Sequence, residues 1–191
     1  MTGCSDESIV ELVKSGDGEA FGLLVQKYQD RIYSTILNYV NSAEDASDLA
    51  QETFVKAYSA MHRFQGTSAF YTWLYRIAIN TAIDHLRKRP GVRVDSLEDD
   101  RFQDVGFEPA ADRSADPQHA LSLKEEKRVL KQAISRLSEK LRTAIILHDI
   151  EGFSQDEIAA ILDCPVGTVK SRVSRARYEL RTILAEYLER Q

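Results

Sequence analysis

The sequence predicts an all-α protein with two small helical domains joined by an acidic, flexible linker. Apolar residues recur at helical spacing over most of the chain, and capping residues precede several of these periodic segments. A segment with Pro and Gly but no sustained period separates the two helical parts. The predicted boundaries are 1–90 for the first domain, 91–118 for the linker and 119–191 for the second. A chain of 191 residues can form two such cores.

The composition argues against several classes of protein. No apolar run approaches the ~18 residues of a membrane span, and no basic segment followed by an apolar one opens the chain. Membrane insertion and a signal peptide are therefore not expected, and the cytoplasm is the expected location. Cys4 and Cys164 lack the spacing of a disulfide framework or a zinc site. We expect no metal, no cofactor and no small-molecule substrate.

The first domain should begin with a short amphipathic helix, Asp6 to Lys14, that stops at Gly16. Asp17 can cap a second helix, and Ser42 with Asp45 forms a capping box for a third. The apolar face of the second helix comprises Phe21, Leu24, Val25, Tyr28, Ile32, Ile36 and Tyr39. That of the third comprises Ala46, Leu49, Ala50, Phe54, Ala57, Tyr58 and Met61. The other face of the third helix offers Asp48, Gln51, Glu52, Val55 and Lys56, and helical spacing alone predicts only a solvated surface there.

A fourth helix is predicted after a cap at Thr67 or Ser68, and it ends in Arg87-Lys88-Arg89. Its buried stripe comprises Phe70, Leu74, Ile77 and Thr81. Tyr71, Trp73 and Tyr75 point away from this stripe. They either fill a second core surface or belong to a ligand-binding surface. One face carries Trp73, Arg76, Asn80, Asp84 and Arg87. Unpaired bases need a ring to stack on, cations for their backbone and an amide for a base edge. This helix is therefore a candidate site for single-stranded nucleic acid.

The net charge of −5 comes from the predicted linker. Residues 91–118 carry 3 basic and 8 acidic residues, against 9 and 11 in residues 1–90 and 13 and 11 in residues 119–191. Phosphate neutralisation normally supplies much of the affinity for DNA. A lone chain with this linker should bind DNA weakly, so a partner is implied.

Residues 154–181 predict a helix, a tight turn and a second, basic helix, which is the arrangement that presents a helix to the DNA major groove. Ser154 and Glu157 form a capping box, and Pro165 suits the first turn of the second helix. Ile158, Ala159 and Leu162 follow at core spacing in the first helix. The predicted packing stripe of the second comprises Val166, Val169, Val173, Ala176, Leu180, Ile183, Leu184 and Tyr187.

The face opposite this stripe predicts separate groups for bases and for phosphates. Arg175 is the candidate for a bidentate contact to guanine, with Ser171 and Ser174 at neighbouring base edges and Tyr178 on the same face. The expected phosphate contacts come from Thr168, Lys170, Arg172 and Arg177. The alternative is a solvated basic face on an ordinary amphipathic helix.

Three stretches, 48–58, 64–78 and 164–172, carry a resemblance to a known family. The chain resembles the bacterial extracytoplasmic-function (ECF, group IV) RNA polymerase sigma factors of the sigma-70 family, most closely the envelope-stress, sigma-E-like branch. The likeness covers both domains. It implies that residues 1–90 are a region 2-like domain, which binds polymerase and recognises and melts the −10 element. Residues 119–191 would be a region 4-like domain that reads the −35 element.

The resemblance also implies roles for individual residues of the first domain. The family docks on the clamp helices of the largest polymerase subunit at positions that match Asp48, Gln51, Glu52 and Phe54. The loop from Phe64 to Ala69, with Ser68 in it, would hold a flipped −10 base together with Asn80, and Lys56 lies near that site. Strand separation and stacking would fall to Tyr71, Trp73 and Tyr75, and backbone contacts to Arg76 and Arg87.

The partners implied by the resemblance are core RNA polymerase, including the flap of its second largest subunit, promoter DNA and an anti-sigma factor in a stress response. The linker would follow the RNA channel of polymerase, where its carboxylates would imitate a nucleic-acid backbone. The residues that suggest this are Asp95, Glu98, Asp99, Asp100 and Asp104. The alternative is a solubilising tether.

The sequence has two alternative functional interpretations, a DNA-binding regulator and an enzyme. A stand-alone helix-turn-helix repressor or activator would bind duplex DNA tightly without polymerase, and it would need a dimer surface or ligand pocket. An enzyme is not expected, because the sequence lacks the phosphate-binding loop, the His-Glu-x-x-His motif and the Gly-x-Ser-x-Gly motif. The scattered His62, His85, His119 and His148 suggest no catalytic set, and His148-Asp149 is interpreted as a chance pair on a helix.

Overall fold

The computed structural model describes residues 5–88 and 117–188. These residues form eight α-helices and no strand, which confirms the predicted all-α class. The helices are α1 (Asp6–Lys14), α2 (Phe21–Val40), α3 (Ala43–Ala60), α4 (Phe70–Lys88), α5 (Pro117–Arg136), α6 (Glu139–Ile145), α7 (Gln155–Leu162) and α8 (Val166–Leu188). A 3-10 turn, Met61–Arg63, follows α3, and a π-helical turn, Ile146–Ile150, follows α6. Cys4 and the linker residues up to 116 lie outside the described residues, whereas 117 and 118 belong to α5.

The chain divides into two compact units, and the first contains α1 to α4 together with residues Asp156–Cys164. Helix α2 packs against α1, α3 and α4 because its apolar residues lie on one face. Leu24, Ile32 and Ile36 are completely buried. Two alanines of α3, Ala46 and Ala57, are also fully buried, and small side chains let neighbouring helices approach closely.

Local capping explains where the first helices begin and end. The predicted cap of α2 by Asp17 is wrong, because the N-cap residue is Ala20 and no side chain caps it. Asp17 Oδ1 instead accepts hydrogen bonds from the N–H groups of Glu19 and Ala20, at 3.1 and 3.2 Å, in the turn that precedes α2. Ser42 Oγ accepts one from the N–H of Asp45 at 3.3 Å, as the predicted cap requires. Gly16 has φ 108°, a left-handed conformation that glycine adopts without steric cost, so α1 stops there as predicted.

The second unit contains α5, α6, the π-helical turn and α8. Both α5 and α6 pack against α8. The middle of the predicted stripe on α8 is confirmed: Val169, Val173, Ala176 and Leu180 are at most 9% exposed. The outer members of the stripe are half-buried, and these are Val166, Ile183, Leu184 and Tyr187.

The predicted helix, turn and helix are present in the chain. Helix α7 ends at Leu162, and Asp163 adopts a left-handed φ of 50°. The N–H of Cys164 then reaches back to the carbonyl of Ala159 at 3.1 Å, which closes the helix end in the manner of a Schellman turn. One detail of α7 differs from the prediction, because Leu162 is half-buried and Ile161, at 2% exposure, is the core residue.

Candidate nucleic-acid interface

The basic face of α8 carries the residues that were predicted to contact duplex DNA. Lys170 and Tyr178 are exposed, and Tyr178 keeps 72% of its surface accessible. The remaining members are half-buried: Thr168, Ser171, Arg172, Ser174, Arg175 and Arg177. The hydroxyl of Ser171 donates to the carbonyl of Thr168 at 3.0 Å. In this rotamer Ser171 presents an acceptor to a ligand, since its proton is already used.

Arg175 lies one turn before a carboxylate on the same helix. Partial burial raises the pKa of Glu179, and the positive charge of Arg175 counteracts that rise. A residue four positions away on a helix is a direct neighbour. The guanidinium of Arg175 is therefore under the electrostatic influence of Glu179 on the face that was predicted to read guanine.

Arg177 makes a bidentate ion pair with Asp149, which the sequence did not predict. Arg177 Nε lies 2.9 Å from Asp149 Oδ2, and Arg177 Nη2 lies 2.6 Å from Asp149 Oδ1. His148 Nδ1 is 2.6 Å from the same Oδ1 atom. Burial would raise the pKa of Asp149, but hydrogen bonds from Arg177 and His148 lower it below its ordinary value. His148-Asp149 was not expected to belong to a catalytic set, and the structure adds that both side chains contact Arg177.

The aromatic residues of the first unit divide into core and partly accessible groups. Tyr75 is 1% exposed, so of the two alternatives for this residue the structure has the one in which it fills the core. Phe64 is 8% exposed and packs against Phe70 and Trp73, with ring centroids 6.0 and 5.1 Å away. Tyr75 and Phe64 therefore cannot stack on a base while this packing persists. Trp73 is half-buried and keeps an accessible part.

Two polar groups of α4 are engaged by α7 within the first unit. The hydroxyl of half-buried Tyr71 donates to Glu157, and this hydrogen bond raises the pKa of Tyr71. The Nη2 atom of Arg76 donates to the carbonyl of Ala160. A nucleic acid that contacted Tyr71 or Arg76 would exchange these hydrogen bonds for new ones.

The residues predicted to capture a −10 base lie in the loop before α4, in the middle of α4 and on α3, and Arg87, a predicted backbone contact, lies at the end of α4. Asn80 and Arg87 are exposed, Ala69 is exposed and Ser68 is half-buried. Lys56 of α3 donates to Thr81 Oγ1 at 3.1 Å and pairs with Glu52 Oε1 at 2.7 Å. Since Thr81 follows Asn80 in the chain, these two bonds hold the ammonium of Lys56 beside the segment that presents Asn80.

The α3 face that was predicted to bind polymerase is acidic, exposed and partly apolar. Asp48, Gln51 and Glu52 are exposed, and Val55 keeps 65% of its surface accessible on the same helix. Phe54 is 8% exposed, and its ring centroid lies 6.5 Å from that of Phe21. Phe54 therefore supports this face from within the core. A mixed acidic and aliphatic surface suits a protein partner better than a nucleic acid.

Among the residues that the structure describes, no helix combines the length and the hydropathy needed to cross a bilayer. Within the same part of the chain, His, Cys, Asp and Glu side chains form no group of three or more that could hold a metal ion.

Comparison with known proteins identifies two family regions. Residues 24–90 match the model of Sigma-70 region 2, and residues 127–180 match that of Sigma-70, region 4. The ECF RNA polymerase sigma-E factor of Salmonella typhimurium (strain LT2) is 45% identical over 177 residues, which cover 91% of each chain. The RNA polymerase sigma-H factor of Pseudomonas aeruginosa is 46% identical over 180 residues, or 93% of this chain and 92% of that one.

Solved structures extend this likeness to three dimensions. The structure of CnrH in complex with the cytosolic domain of CnrY matches with a TM-score of 0.70 and 26% identity, over 96% of this chain and 99% of that one. The sigma factor RpoE of Bartonella quintana, solved with the anti-sigma factor NepR, matches with a TM-score of 0.61 and 31% identity, over 86% and 96%. With these similarities over nearly its whole length, the chain belongs to the ECF sigma factors of the sigma-70 family.

Proposed function

We propose that this protein binds core RNA polymerase and directs it to promoters, by reading the −35 element with α8 and capturing melted −10 DNA with α4 and the loop before it. The observation that carries the proposal is that the basic face of α8 is accessible opposite a buried apolar stripe. The α8 contacts proposed for the −35 element are Thr168, Lys170, Ser171, Arg172, Ser174, Arg175 and Tyr178. Arg177 was predicted to contact phosphate, but Asp149 holds its guanidinium, so we leave it out of these contacts.

For the −10 element we propose that Asn80, Lys56 and the loop at Ser68 and Ala69 hold a flipped base, while Trp73 and Tyr71 offer stacking surfaces. Arg76 and Arg87 would contact the DNA backbone. Phe64 and Tyr75 contribute from the core, since both are buried and the ring of Phe64 packs on Trp73.

Strand opening on this proposal uses binding energy and no catalytic residue. Each base-pair step is worth about 1.4 kcal/mol of stacking. A base that stacks on an aromatic side chain recovers about 1 to 3 kcal/mol. Capture of one or two bases therefore offsets only part of the cost of opening several pairs. Polymerase supplies the remaining stabilisation and all of the RNA chemistry.

The proposed polymerase contact uses Asp48, Gln51 and Glu52 on α3 against the clamp helices of the largest subunit, with Phe54 beneath them. The second domain would bind the flap of the second largest subunit. Dependence on polymerase fits the net charge of −5, because a chain of that charge gains little affinity for DNA by itself. Since polymerase and promoters are cytoplasmic, we infer that compartment for the chain.

We also propose regulation by an anti-sigma factor in a stress response. The support is that RpoE of Bartonella quintana was solved with its anti-sigma factor NepR. The inhibitor of this chain would have to cover the α3 face, the α8 face or both, since those surfaces carry the proposed polymerase and promoter contacts.

Run-off transcription tests the proposal. Core polymerase is incubated with genomic fragments, with and without the full chain, and start sites are mapped. We expect start sites that appear only with the chain and share −35 and −10 elements. Tight, specific duplex binding by the chain alone, with no chain-dependent start sites, would favour the repressor and overturn the sigma-factor proposal.

A further inference from the structure

The pair formed by Asp149 and Arg177 constrains orientation as well as distance. The Nε and Nη2 atoms of Arg177 each donate to a different oxygen of the Asp149 carboxylate. Two parallel bonds fix the plane and the direction of the guanidinium, which a single contact cannot do. The side chains are 33% and 34% exposed, so water screens this ion pair less than a fully exposed one.

Asp149 is attached to a rigid support. It belongs to the π-helical turn Ile146–Ile150, in which Ile146 and Leu147 are completely buried. The N–H of Glu151 closes the turn onto the carbonyl of Ile146 at 3.0 Å. His148 contacts the carboxylate from the same turn. Single π-helical turns are frequent at functional sites.

The buried stripe of α8 lacks a directional contact of this kind. Val169, Val173, Ala176 and Leu180 are all aliphatic. Apolar burial is non-directional and roughly proportional to area. Small rotations about the axis of α8 therefore cost little apolar burial. Such rotations would move Ser171, Ser174 and Arg175 relative to base edges, where hydrogen-bond geometry is strict.

We propose that Asp149 is a positioning residue for promoter reading, which fixes the rotation of α8 through its two hydrogen bonds to Arg177. In this role Arg177 orients the recognition helix and does not serve as a phosphate contact. The inference rests on the proposed function, because the rotation of α8 matters for selectivity only if α8 reads bases.

Two variants separate orientation from phosphate binding. Asp149→Asn keeps the size of the side chain but removes its charge, and Arg177→Lys keeps the positive charge but loses the two-pronged geometry. The measurement is run-off transcription by polymerase with the full-length variant, on a promoter with the preferred −35 element and on promoters with single −35 substitutions. The ratio of the two yields is the selectivity. Thermal unfolding of each variant shows whether it is folded at the assay temperature.

We expect Asp149→Asn and Arg177→Lys each to lower selectivity about fivefold, because residues in one ion pair are coupled by about 1 kcal/mol and this energy corresponds to a factor of about five. The double variant should lose no more than either single variant, because both changes break the same pair. Glu186→Gln is the matched control. It removes another ion pair of α8, in which Arg136 Nη2 lies 3.9 Å from Glu186 Oε2, and it should leave selectivity unchanged.

The phosphate role for Arg177 predicts results of the opposite kind. Asp149→Asn would then release the guanidinium and strengthen binding to all sequences, while Arg177→Lys would resemble the wild type. Either of these results, or unchanged selectivity in folded variants, overturns the inference. If the wild-type chain itself shows no −35 selectivity with polymerase, the proposed function has failed as well, and the two failures are thereby told apart.

Discussion

The ammonium of Lys56 lies 3.1 Å from the hydroxyl oxygen of Thr81, so α3 and α4 are joined directly beside Asn80. This contact holds the cation of Lys56 against the segment of α4 that carries Asn80. Replacement of the exposed Asn80 should therefore be the most informative test of the proposed base-capture site.

We expect Asn80→Ala to alter the preferred base at one position of the −10 element. A lost base-edge contact costs about 1 to 3 kcal/mol of discrimination. The measurement is the binding of polymerase with the variant to forked templates that differ at single −10 bases. Gln26→Ala, at an exposed position of α2, is the control and should leave the preference unchanged. An unchanged preference in Asn80→Ala would remove this residue from the site.

Arg175→Ala and Lys170→Ala should have different effects on binding to the −35 element. The first should cost about 1 to 3 kcal/mol and relax the choice of one −35 base, whereas the second should weaken binding to all sequences and reduce the salt slope by about 1. Binding of polymerase with each variant, measured over a series of salt concentrations and −35 sequences, separates these effects. Intact −35 selectivity in Arg175→Ala would show that another residue reads the base.

Reversal of charge on α3 should weaken binding to core polymerase. We expect Asp48→Lys combined with Glu52→Lys to lower the affinity for core polymerase about tenfold or more. A partner surface that complements acidic residues would then face positive charges, and like charges opposed across an interface cost several kcal/mol. Competition with the wild-type chain for polymerase measures the change. Asp30→Lys, at an exposed position of α2, is the control. Equal affinities for all three proteins would place the polymerase contact elsewhere.

Phe64→Ala should destabilise the first unit by about 3 to 5 kcal/mol, as expected for a large side chain removed from a core. Trp73 is the single tryptophan of the chain and packs on Phe64, so its fluorescence should report both the local change and the unfolding. Denaturant titration followed by this signal provides the value. Gln65→Ala, at the exposed neighbouring position, should change stability by less than about 0.5 kcal/mol.

The contribution of Asp149 to the free energy of unfolding should decrease as the pH falls. Its pKa in the folded protein lies below the ordinary value of 3.8, so the unfolded chain binds the proton more readily. The contribution is therefore fully present above pH 3.8 and is lost as the pH falls through the folded pKa. The gap in unfolding free energy between the wild type and Asp149→Asn should be constant well above pH 3.8 and should narrow as the pH falls below 3.8. A gap that widens in acid would contradict the assigned sign.

Much of the first unit could be predicted because its signals are local. The stop at Gly16 and the cap at Ser42 act over three or four residues, and they are where the sequence predicts them. The cap predicted at Asp17 is not, since α2 begins after Ala20. The choice between Ile161 and Leu162 could not be made in the same way. Adjacent aliphatic residues differ by only 100° on a helix, and the neighbouring elements decide which of them is buried.

In the candidate site, too, some features could be predicted from the sequence and others could not. The separation of α8 into an apolar stripe and a basic face follows from its 3.6-residue period, and burial of Val169, Val173 and Ala176 agrees with it. Burial of Tyr75 could not be derived from α4 alone, because the sequence pattern leaves two directions open to it and packing selects one.

The sequence by itself determined the helices, the cap at Ser42, the packing face of α8 and the family, because periodicity, capping and motif spacing are carried by neighbouring residues. Only the tertiary structure decided that Lys56 meets Thr81 and that Asp149 meets Arg177, 28 residues further along the chain. Partners so far apart in sequence are brought together by the packing of whole helices, and no local period encodes which carboxylate will face which guanidinium.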